Sequence, residues 1–263
     1  MKQFGYTNPL DRPLIFVSGP PRSGTSLVTK VIDAHPDVAV LMENIFSNRR
    51  RHWQRAGFWN SPQTLGYEVT KVFRKLKEPI VGNKVCTPDV WSADDINMFC
   101  HLFSDFKIVF MVRDPVQTAL SRLNRENLAL HFNDEARRHM LLNFQSIYLT
   151  FISSWRQSIE TYWKFRDRYP DKVYFIYYED FCADFEHQAQ MLCQFLGVPF
   201  SEDVINWHEL PHHDANGDLK ADLKYPDQKI FLKNPVEQEI PKALQEAVVT
   251  IQWQYECWQR RTL

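Results

Sequence analysis

One stretch near the amino terminus, residues 14–28, limits what this chain can fold into more than any other. It begins with Leu14 to Val17, an apolar run typical of a buried strand. A turn bounded by two glycines follows at residues 19–24, and from Thr25 onward apolar residues recur at helical spacing until Pro36. The stretch therefore predicts a strand, a glycine loop and a helix in direct succession.

The start of the predicted helix is suited to bind an anion. Backbone N–H groups at a helix amino terminus lack partners within the helix, and the helix dipole favours negative charge there. The amides in question belong to Ser23, Gly24, Thr25, Ser26 and Leu27. The two glycines are spaced as in a P-loop, but Thr25 stands where the P-loop has lysine, and the positive charge has moved forward to Arg22. Such a loop either binds phosphate or is only a structural turn.

The residues of this loop resemble those of a known family. Pro-Arg-Ser-Gly-Thr-Ser after a hydrophobic strand is similar to the 5′-phosphosulfate loop of the sulfotransferases, which hold 3′-phosphoadenosine 5′-phosphosulfate (PAPS). Extended through Asp-Ala-His-Pro-Asp at residues 33–37, the sequence resembles the protein-tyrosine sulfotransferase branch. The resemblance implies that Arg22 and the amides of residues 23–27 bind the phosphosulfate.

Length and composition favour one large α/β domain over the whole chain, residues 1–263. The sequence is 44% hydrophobic and 24% charged, with a net charge of −1. This profile is typical of a soluble globular protein and argues against a nucleic-acid partner. The five cysteines are scattered without a C-x-x-C pair, which predicts neither a disulfide framework nor a zinc site.

No apolar run approaches the length that spans a membrane, and the amino terminus lacks the apolar segment of a signal peptide. We therefore expect a cytoplasmic protein with no membrane partner. The tyrosine sulfotransferases of animals, which the loop resembles, are Golgi membrane proteins. The sequence thus departs from that family in its expected setting, and its acceptor can differ too.

The candidate general base is Glu43. The apolar run at residues 38–41 predicts a second strand that carries Glu43 to the carboxyl-terminal edge of the sheet, where ligands bind in open parallel sheets. Taken alone, such a carboxylate is either a solvated loop residue or part of a site. Glu43 stands as far from Arg22 in sequence as the catalytic glutamate stands from the loop arginine in the tyrosine sulfotransferases. The resemblance therefore implies a general base at Glu43. If Glu43 is not the base, His35 and His52 are the next candidates.

A basic and aromatic segment follows at residues 45–63. It is either a solvated helix with its aromatic side on the core or a surface that selects an acidic or aromatic acceptor. The longer aromatic stripe at residues 134–168 has helical spacing, and we expect it to be core rather than acceptor pocket.

The predicted third strand delivers Lys84 to the ligand edge, after an amphipathic helix at residues 68–77. Lysines are normally surface residues. Gly-Asn-Lys-Val-Cys-Thr-Pro resembles the family segment whose lysine contacts the phosphosulfate. By that resemblance Lys84 stabilises charge on the bridging oxygen as it leaves.

A second candidate phosphate site follows the strand at residues 107–112, where Arg113, Ser121 and Arg125 can converge around a helix start marked by Pro115. Two guanidinium groups and a hydroxyl make a good phosphate clamp, although arginines of a surface helix can equally face solvent. Arginine and serine eight positions apart resemble the 3′-phosphate motif of the sulfotransferases, and Arg125 matches a further arginine of that family.

The last predicted strand, residues 172–178, ends in a Tyr-Glu pair similar to one in the family whose tyrosine lies against the adenine, which implies that role for Tyr178. Residues 200–235 read as a polar loop. The family has a late loop here that folds over the donor, and Lys233 is assigned to its lysine by resemblance. Within this loop His212, His213 and Asp214 invite a metal interpretation, but adjacent histidines of an extended chain point to opposite sides, so no metal site is expected.

These observations predict an α/β fold with a P-loop-like, mostly parallel central sheet and helices on both faces. The implied activity is sulfuryl transfer from PAPS to a hydroxyl, or an amine, of a small-molecule or peptide acceptor, by in-line displacement and without a metal. A P-loop nucleotide kinase would share the fold but should carry Lys or Arg directly after Gly24. A noncatalytic nucleotide-binding module would keep the donor motifs and lose the base.

Overall fold

The computed structural model of this protein describes residues 10–42, 62–86, 102–103, 105–118, 121, 144–221, 253 and 255–257. Three of the predicted site residues, Glu43, Arg125 and Lys233, lie outside these ranges. So does the predicted basic segment from residue 45 to residue 61.

Five parallel strands form the central sheet. They are β1 (Leu14–Gly19), β2 (Val38–Leu41), β3 (Ile80–Cys86), β4 (Phe106–Val112) and β5 (Val173–Tyr177). Their order in space is β2-β3-β1-β4-β5, and each neighbouring pair is parallel. The strands read as continuous apolar runs because a parallel sheet is buried on both faces. The prediction of a mostly parallel α/β sheet is confirmed.

Helices occupy most of the remaining described chain. They are α1 (Thr25–Asp33), α2 (Pro62–Phe73), α3 (Phe144–Arg168), α4 (Tyr178–Ala183), α5 (Phe185–Leu196) and α6 (Glu202–Ile205), with 3₁₀ turns at Pro170–Lys172 and Trp207–Glu209. Two further short strands, β6 (His212–His213) and β7 (Leu219–Lys220), form an antiparallel hairpin. No helix in the described part of the chain has the length and apolar character needed to cross a lipid bilayer.

Apolar cores lie on both faces of the sheet. Successive residues of β1 point to opposite sides, so Leu14 and Phe16 belong to one core and Ile15 and Val17 to the other. The first core includes residues of α2 and the aromatic stripe of α3, whose Trp155 is 1% exposed. The second core includes residues of α1 and α5. Helices therefore cover both faces. Trp155, Tyr162 and Phe165 of the aromatic stripe are core as expected, whereas residues 134–143 of the stripe lie outside the described chain.

Helix α2 was predicted at residues 68–77. In the structure it begins at Pro62 and ends at Phe73. Its end is set by a residue distant in sequence. The guanidinium of Arg12 donates to the carbonyl oxygens of Phe73 and Leu76 at 2.9 Å each. A cation that takes the last carbonyls of a helix stabilises its termination there, which a pattern local to residues 68–77 does not reveal.

The segment predicted as loop, residues 200–235, is described up to residue 221 and there contains α6, β6 and β7. Asp214 makes the turn between β6 and β7, where its Oδ1 accepts from the amides of Asn216 at 2.7 Å and Asp218 at 3.1 Å. Gly217 takes the positive φ of 73° that the turn requires. The turn residues were present in the sequence, but strands of two residues are too short to produce an alternating pattern.

Candidate active site

The candidate site lies along the carboxyl-terminal edge of the sheet, where all five strands end because they are parallel. The loop of residues 20–24 follows β1, Lys84 lies near the end of β3, and Arg113 and Tyr178 come directly after β4 and β5. Neighbouring strands are about 4.8 Å apart, so groups from β3, β1 and β4 are within reach of one ligand. Glu43 follows the last residue of β2 by two positions and is itself outside the described chain.

The loop after β1 depends on glycine at both of its ends. Gly24 has a φ of 100°, in the left-handed region, and an added Cβ would lie 2.6 Å from Cδ2 of Tyr178. A Cβ on Gly19 would collide with the backbone oxygen of Met111. Both glycines therefore allow the loop to pack tightly against β4 and the start of α4, which leaves the backbone itself exposed to a ligand.

The amino terminus of α1 is left open by the protein's own side chains. Gly24 provides no side-chain cap, and the first turn contains no acidic residue. The amides of Ser23 and Leu27 are not available as predicted, because they donate to the carbonyls of Pro20 at 3.1 Å and Gly24 at 2.9 Å. We therefore expect the anion to be bound by the backbone N–H groups of residues 24–26, where the helix begins.

The Ser23 side chain holds the loop rather than facing a ligand. It is fully buried, and its hydroxyl contacts the carbonyl oxygens of Pro20 at 2.7 Å and Met111 at 3.0 Å. These contacts tie the middle of the loop to β4. Ser23 is thus a structural residue of the loop in this conformation.

A lysine lies beside the open helix start. Lys84 Nζ donates to Ser26 Oγ at 2.9 Å, which joins the neighbouring strand β3 to the first turn of α1. The structure therefore brings the lysine predicted from the sequence to the loop it was predicted to serve. A positive charge here adds to the positive end of the helix dipole.

Arg22 connects the two predicted phosphate sites. Its Nε donates to Ser121 Oγ at 3.3 Å, across from the β1 loop to the segment after β4. Arg22 also has a positive φ of 74°, the one such non-glycine residue in the described chain. A backbone of this kind costs about 1–3 kcal/mol and is found mainly at functional sites. The strained backbone at Arg22 is therefore consistent with a functional role for this loop arginine.

Arg113 is held by the aromatic residue that follows β5. Its guanidinium carbon lies 4.5 Å from the centre of the Tyr178 ring, a cation–π contact. Arg113 Nε is buried and has no hydrogen-bond partner among the described residues. Burial raises the pKa of Tyr178 to about 12, so its hydroxyl stays neutral. Tyr178 is 8% exposed and also packs against Gly24; its predicted contact with adenine stays a prediction.

Glu179 is a residue of this site that the sequence reasoning missed. Its Oε1 accepts from the backbone N–H of Asp114 at 3.0 Å, and its Oε2 accepts from the hydroxyl of Tyr255 at 2.8 Å. Burial raises the pKa of Glu179 above its ordinary value, and these hydrogen bonds act in the opposite direction. Glu179 therefore fixes the turn that presents Arg113. The sequence feature that could have identified Glu179 is its position just after a predicted strand, next to Tyr178.

His35, a fallback candidate for the base, is committed to structure. It is buried, its Nε2 lies 2.8 Å from the carbonyl oxygen of Pro199, and its Nδ1 accepts from the amide of Asp37 at 3.1 Å. A histidine with both nitrogens engaged has no free lone pair for an acceptor proton. Among the described residues no group of three His, Cys, Asp or Glu side chains is arranged to hold a metal ion.

Two family descriptions match the sequence. "Sulfotransferase family" matches residues 13–80, and "Sulfotransferase domain" matches residues 93–210. The two ranges together span more than half of the chain and contain the loop after β1, Arg113 and Tyr178.

The curated relatives include protein-tyrosine sulfotransferases. Protein-tyrosine sulfotransferase 1 of Danio rerio is 26% identical over 216 residues, which cover 76% of this chain and 57% of the relative. The protein-tyrosine sulfotransferase of Drosophila melanogaster is 28% identical over 242 residues, covering 86% of this chain and 46% of the relative. The chain thus spans about half the length of these relatives.

Solved structures share the fold. The sulfotransferase domain from the Synechococcus PCC 7002 olefin synthase superposes with a TM-score of 0.57 at 20% identity, over 97% of this chain and 98% of that chain. The mouse sulfotransferase SULT7A1, solved in complex with PAP, gives a TM-score of 0.53 at 18% identity, over 94% of this chain and 88% of that chain. At identities of 20% and 18%, this structural similarity shows a shared fold and nothing further.

Proposed function

This chain belongs to the sulfotransferase family, and we propose that it transfers the sulfuryl group of PAPS to a hydroxyl, or an amine, of a peptide or small-molecule acceptor. The observation that carries the proposal is the placement of two basic side chains, Arg22 of the loop after β1 and Lys84 of β3, beside the start of α1. Lys84 contacts the first turn of α1 at Ser26, and Arg22 reaches Ser121 beyond β4. Positive charge associated with two neighbouring strands, β3 and β1, thus lies at the loop that leads into one open helix terminus.

The residues present fit a donor with two anionic ends. The uncapped helix start at Gly24 suits the 5′-phosphosulfate, because backbone N–H groups can approach it without an intervening side chain. Arg113, whose Nε has no partner in the described chain, and Ser121 suit the 3′-phosphate. Arg22 lies between them. The mouse structure that shares the fold contains PAP, the adenosine 3′,5′-bisphosphate left after transfer, which supports the same donor.

The proposed mechanism is in-line displacement at sulfur. When bound, PAPS supplies a sulfuryl group joined to its leaving phosphate through a bridging oxygen. The amides of residues 24–26 and Arg22 orient the anion, and Lys84 stabilises the negative charge that develops on the bridging oxygen. Glu43 accepts the proton of the acceptor hydroxyl as its oxygen attacks. No step in this scheme requires a metal ion.

The strand order by itself does not separate this activity from that of a P-loop nucleotide kinase, because the two share a parallel sheet with a loop after β1. Family membership and the threonine at position 25 favour sulfuryl transfer, since a kinase loop places lysine there. The protein-tyrosine sulfotransferase relatives make tyrosine hydroxyls in peptides the first acceptors to test. A cytoplasmic location and a single domain stay predictions.

Nucleotide preference and acceptor transfer together test the proposal. Thermal unfolding is followed with PAP and with AMP, which lacks the 3′-phosphate, and the two melting temperatures are compared by ligand linkage. We expect PAP to raise the Tm at concentrations at which AMP does not. ³⁵S-labelled PAPS is then incubated with tyrosine-containing peptides and with phenols, and the labelled products are separated. Equal shifts with PAP and AMP, or no transfer to any acceptor or to water, would contradict the proposal.

A further inference from the structure

The outer edge of β2 is covered by side-chain and backbone groups from distant parts of the chain. β2 pairs with β3 on one side only. On the opposite side the amide of Val40 donates to Asp33 Oδ1 at 2.6 Å, and the amide of Met42 donates to the carbonyl oxygen of His213 at 3.3 Å. An edge strand presents a row of unpaired N–H groups unless something covers it. Here the end of α1 and strand β6 cover it.

One carboxylate joins these elements. The Asp33 side chain is fully buried, with no exposed area. Besides Val40, its oxygens accept from the backbone N–H of His213 at 2.7 Å and from His213 Nδ1 at 2.8 Å. Three donors from two elements therefore converge on Asp33. We call Asp33 and His213 the edge pair.

Electrostatics favour the charged form of both members of the edge pair. Burial raises the pKa of Asp33, but the hydrogen bond from His213 and the nearby ring of His212, whose Nδ1 lies 3.6 Å from Asp33 Oδ2, outweigh it and leave the pKa below its ordinary value. Burial lowers the pKa of His213, yet Asp33 and the carboxylate of Glu78, 3.8 Å from His213 Nε2, raise it overall. A buried polar network whose hydrogen bonds are satisfied makes its surroundings rigid.

The edge pair acts on the part of the sheet that leads to the proposed base. Met42, whose amide is bound by His213, directly precedes Glu43 in the sequence. The edge pair makes no hydrogen bond in the described chain to Arg22, Lys84 or Arg113, the groups assigned to the donor. It therefore lies beside the carboxyl-terminal end of β2 and apart from the groups assigned to the donor.

We propose that Asp33 and His213 are positioning residues for sulfuryl transfer, because they fix the end of β2 that directly precedes Glu43, the proposed base, in the sequence. This inference rests on the proposed function, since it assigns a role to the base in that reaction. A displacement of about 1 Å at a reacting group can cost on the order of 10²-fold in rate. Loss of the pair should therefore lower turnover while donor binding persists.

The test uses variants that change the side chain of His213 and keep its backbone contacts. His213→Leu removes the bond to Asp33 and the charge. His213→Asn places an amide N–H near the position of Nδ1 and should restore the bond. Asp218→Asn is the matched control, because it removes a charge from the exposed tip of the same hairpin, where Asp218 pairs with Lys75 at 3.2 Å.

Three quantities are measured for each variant: the Kd for PAP, the kcat for transfer from ³⁵S-labelled PAPS to a tyrosine-containing peptide or to water, and hydrogen exchange at the amides of Val40 and Met42. We expect His213→Leu to lower kcat by roughly 10- to 100-fold, to leave the Kd for PAP within about threefold, and to speed exchange at both amides. His213→Asn should recover most of the loss, and Asp218→Asn should behave like the wild type.

Several results would overturn the positioning role. If His213→Leu kept the wild-type kcat while hydrogen exchange at the amides of Val40 and Met42 became faster, the edge pair would have no role in catalysis. A parallel loss of PAP affinity and kcat, or failure of His213→Asn to rescue, would make the pair a general structural contact. Should His213→Leu not fold, His213→Gln, whose amide cannot reach the Nδ1 position, is judged by the same criteria. If the wild type neither binds PAP nor transfers sulfate, the proposed function itself fails.

Discussion

At the scale of single residues, the site is defined by how its cations are held. Arg113 stacks on Tyr178, and the turn that presents it is fixed by Glu179. The resemblance implied Arg113 and Tyr178 as separate contacts, Arg113 to the 3′-phosphate and Tyr178 to the adenine of the donor. The structure makes them neighbours, so that Tyr178 restrains the arginine.

Arg113→Ala should weaken PAP binding with little effect on stability. A hydrogen bond to a charged group contributes about 1.5–3 kcal/mol, which corresponds to roughly 10- to 150-fold in Kd. Isothermal titration calorimetry with PAP measures the change. Arg156→Ala is the matched control, because Arg156 is exposed on α3 and pairs with Glu160 at 2.7 Å. Equal PAP affinity in the wild type and Arg113→Ala would remove Arg113 from the donor site.

The edge pair predicts a pH dependence of stability. His213 faces Asp33 from α1 and Glu78 after α2, with His212 and Asp214 beside it on its own segment. Because the pKa of folded His213 is raised, its stabilising contribution is fully present below the ordinary value of 6.5 and is lost as pH rises through the raised pKa. The pKa of Asp33 is lowered, so its contribution is present above 3.8 and is lost as pH falls through the lowered pKa.

The difference in unfolding free energy between the wild type and His213→Leu should therefore be largest between these limits and should shrink at higher pH. Urea unfolding at a series of pH values measures it, with Asp218→Asn as the reference variant. A difference that grows from pH 6 to pH 9 would contradict the assigned pairing.

At the scale of elements, the unit formed by β1, the loop and α1 determines the site. This unit could be predicted from residues 14–28 because all of its signals are local: an apolar run, two glycines and a helical period. The hairpin of β6 and β7 could not, since its position depends on a contact between Asp33 and His213, far apart in the chain. Likewise the end of α2 depends on Arg12.

Gly24→Ala tests the loop as an element. The left-handed φ of 100° and the contact with Tyr178 should make alanine costly, by about 1–3 kcal/mol for the backbone alone, and should displace the amides that bind the donor. Gly197→Ala is the control, because Gly197 has a φ of 81° at the end of α5 and a Cβ there would meet no atom closer than 3.5 Å. Thermal unfolding and PAP titration should show lost stability in both variants and lost affinity in Gly24→Ala only. Equal PAP affinity in the two would argue against the loop as the donor site.

At the scale of the whole molecule, the order β2-β3-β1-β4-β5 assembles the site from segments far apart in sequence. The sequence predicted that the strands are parallel and that ligands lie at their carboxyl ends, which placed Lys84, the loop and Arg113 on one edge. It did not predict which strands are neighbours, because strand order is decided by packing between helices and both faces of the sheet. The contact of Arg22 with Ser121 follows from that order.

The most direct measurement is single-turnover transfer from ³⁵S-labelled PAPS by the wild type and by Glu43→Gln, with the Kd for PAP determined for both. Glutamine keeps the size and hydrogen-bonding capacity of the side chain and removes its basicity. The account predicts that PAP binding is preserved while transfer falls by roughly 10²–10⁴-fold, the usual contribution of general acid–base catalysis. Transfer at the wild-type rate by Glu43→Gln, with chemistry as the rate-limiting step, would contradict it.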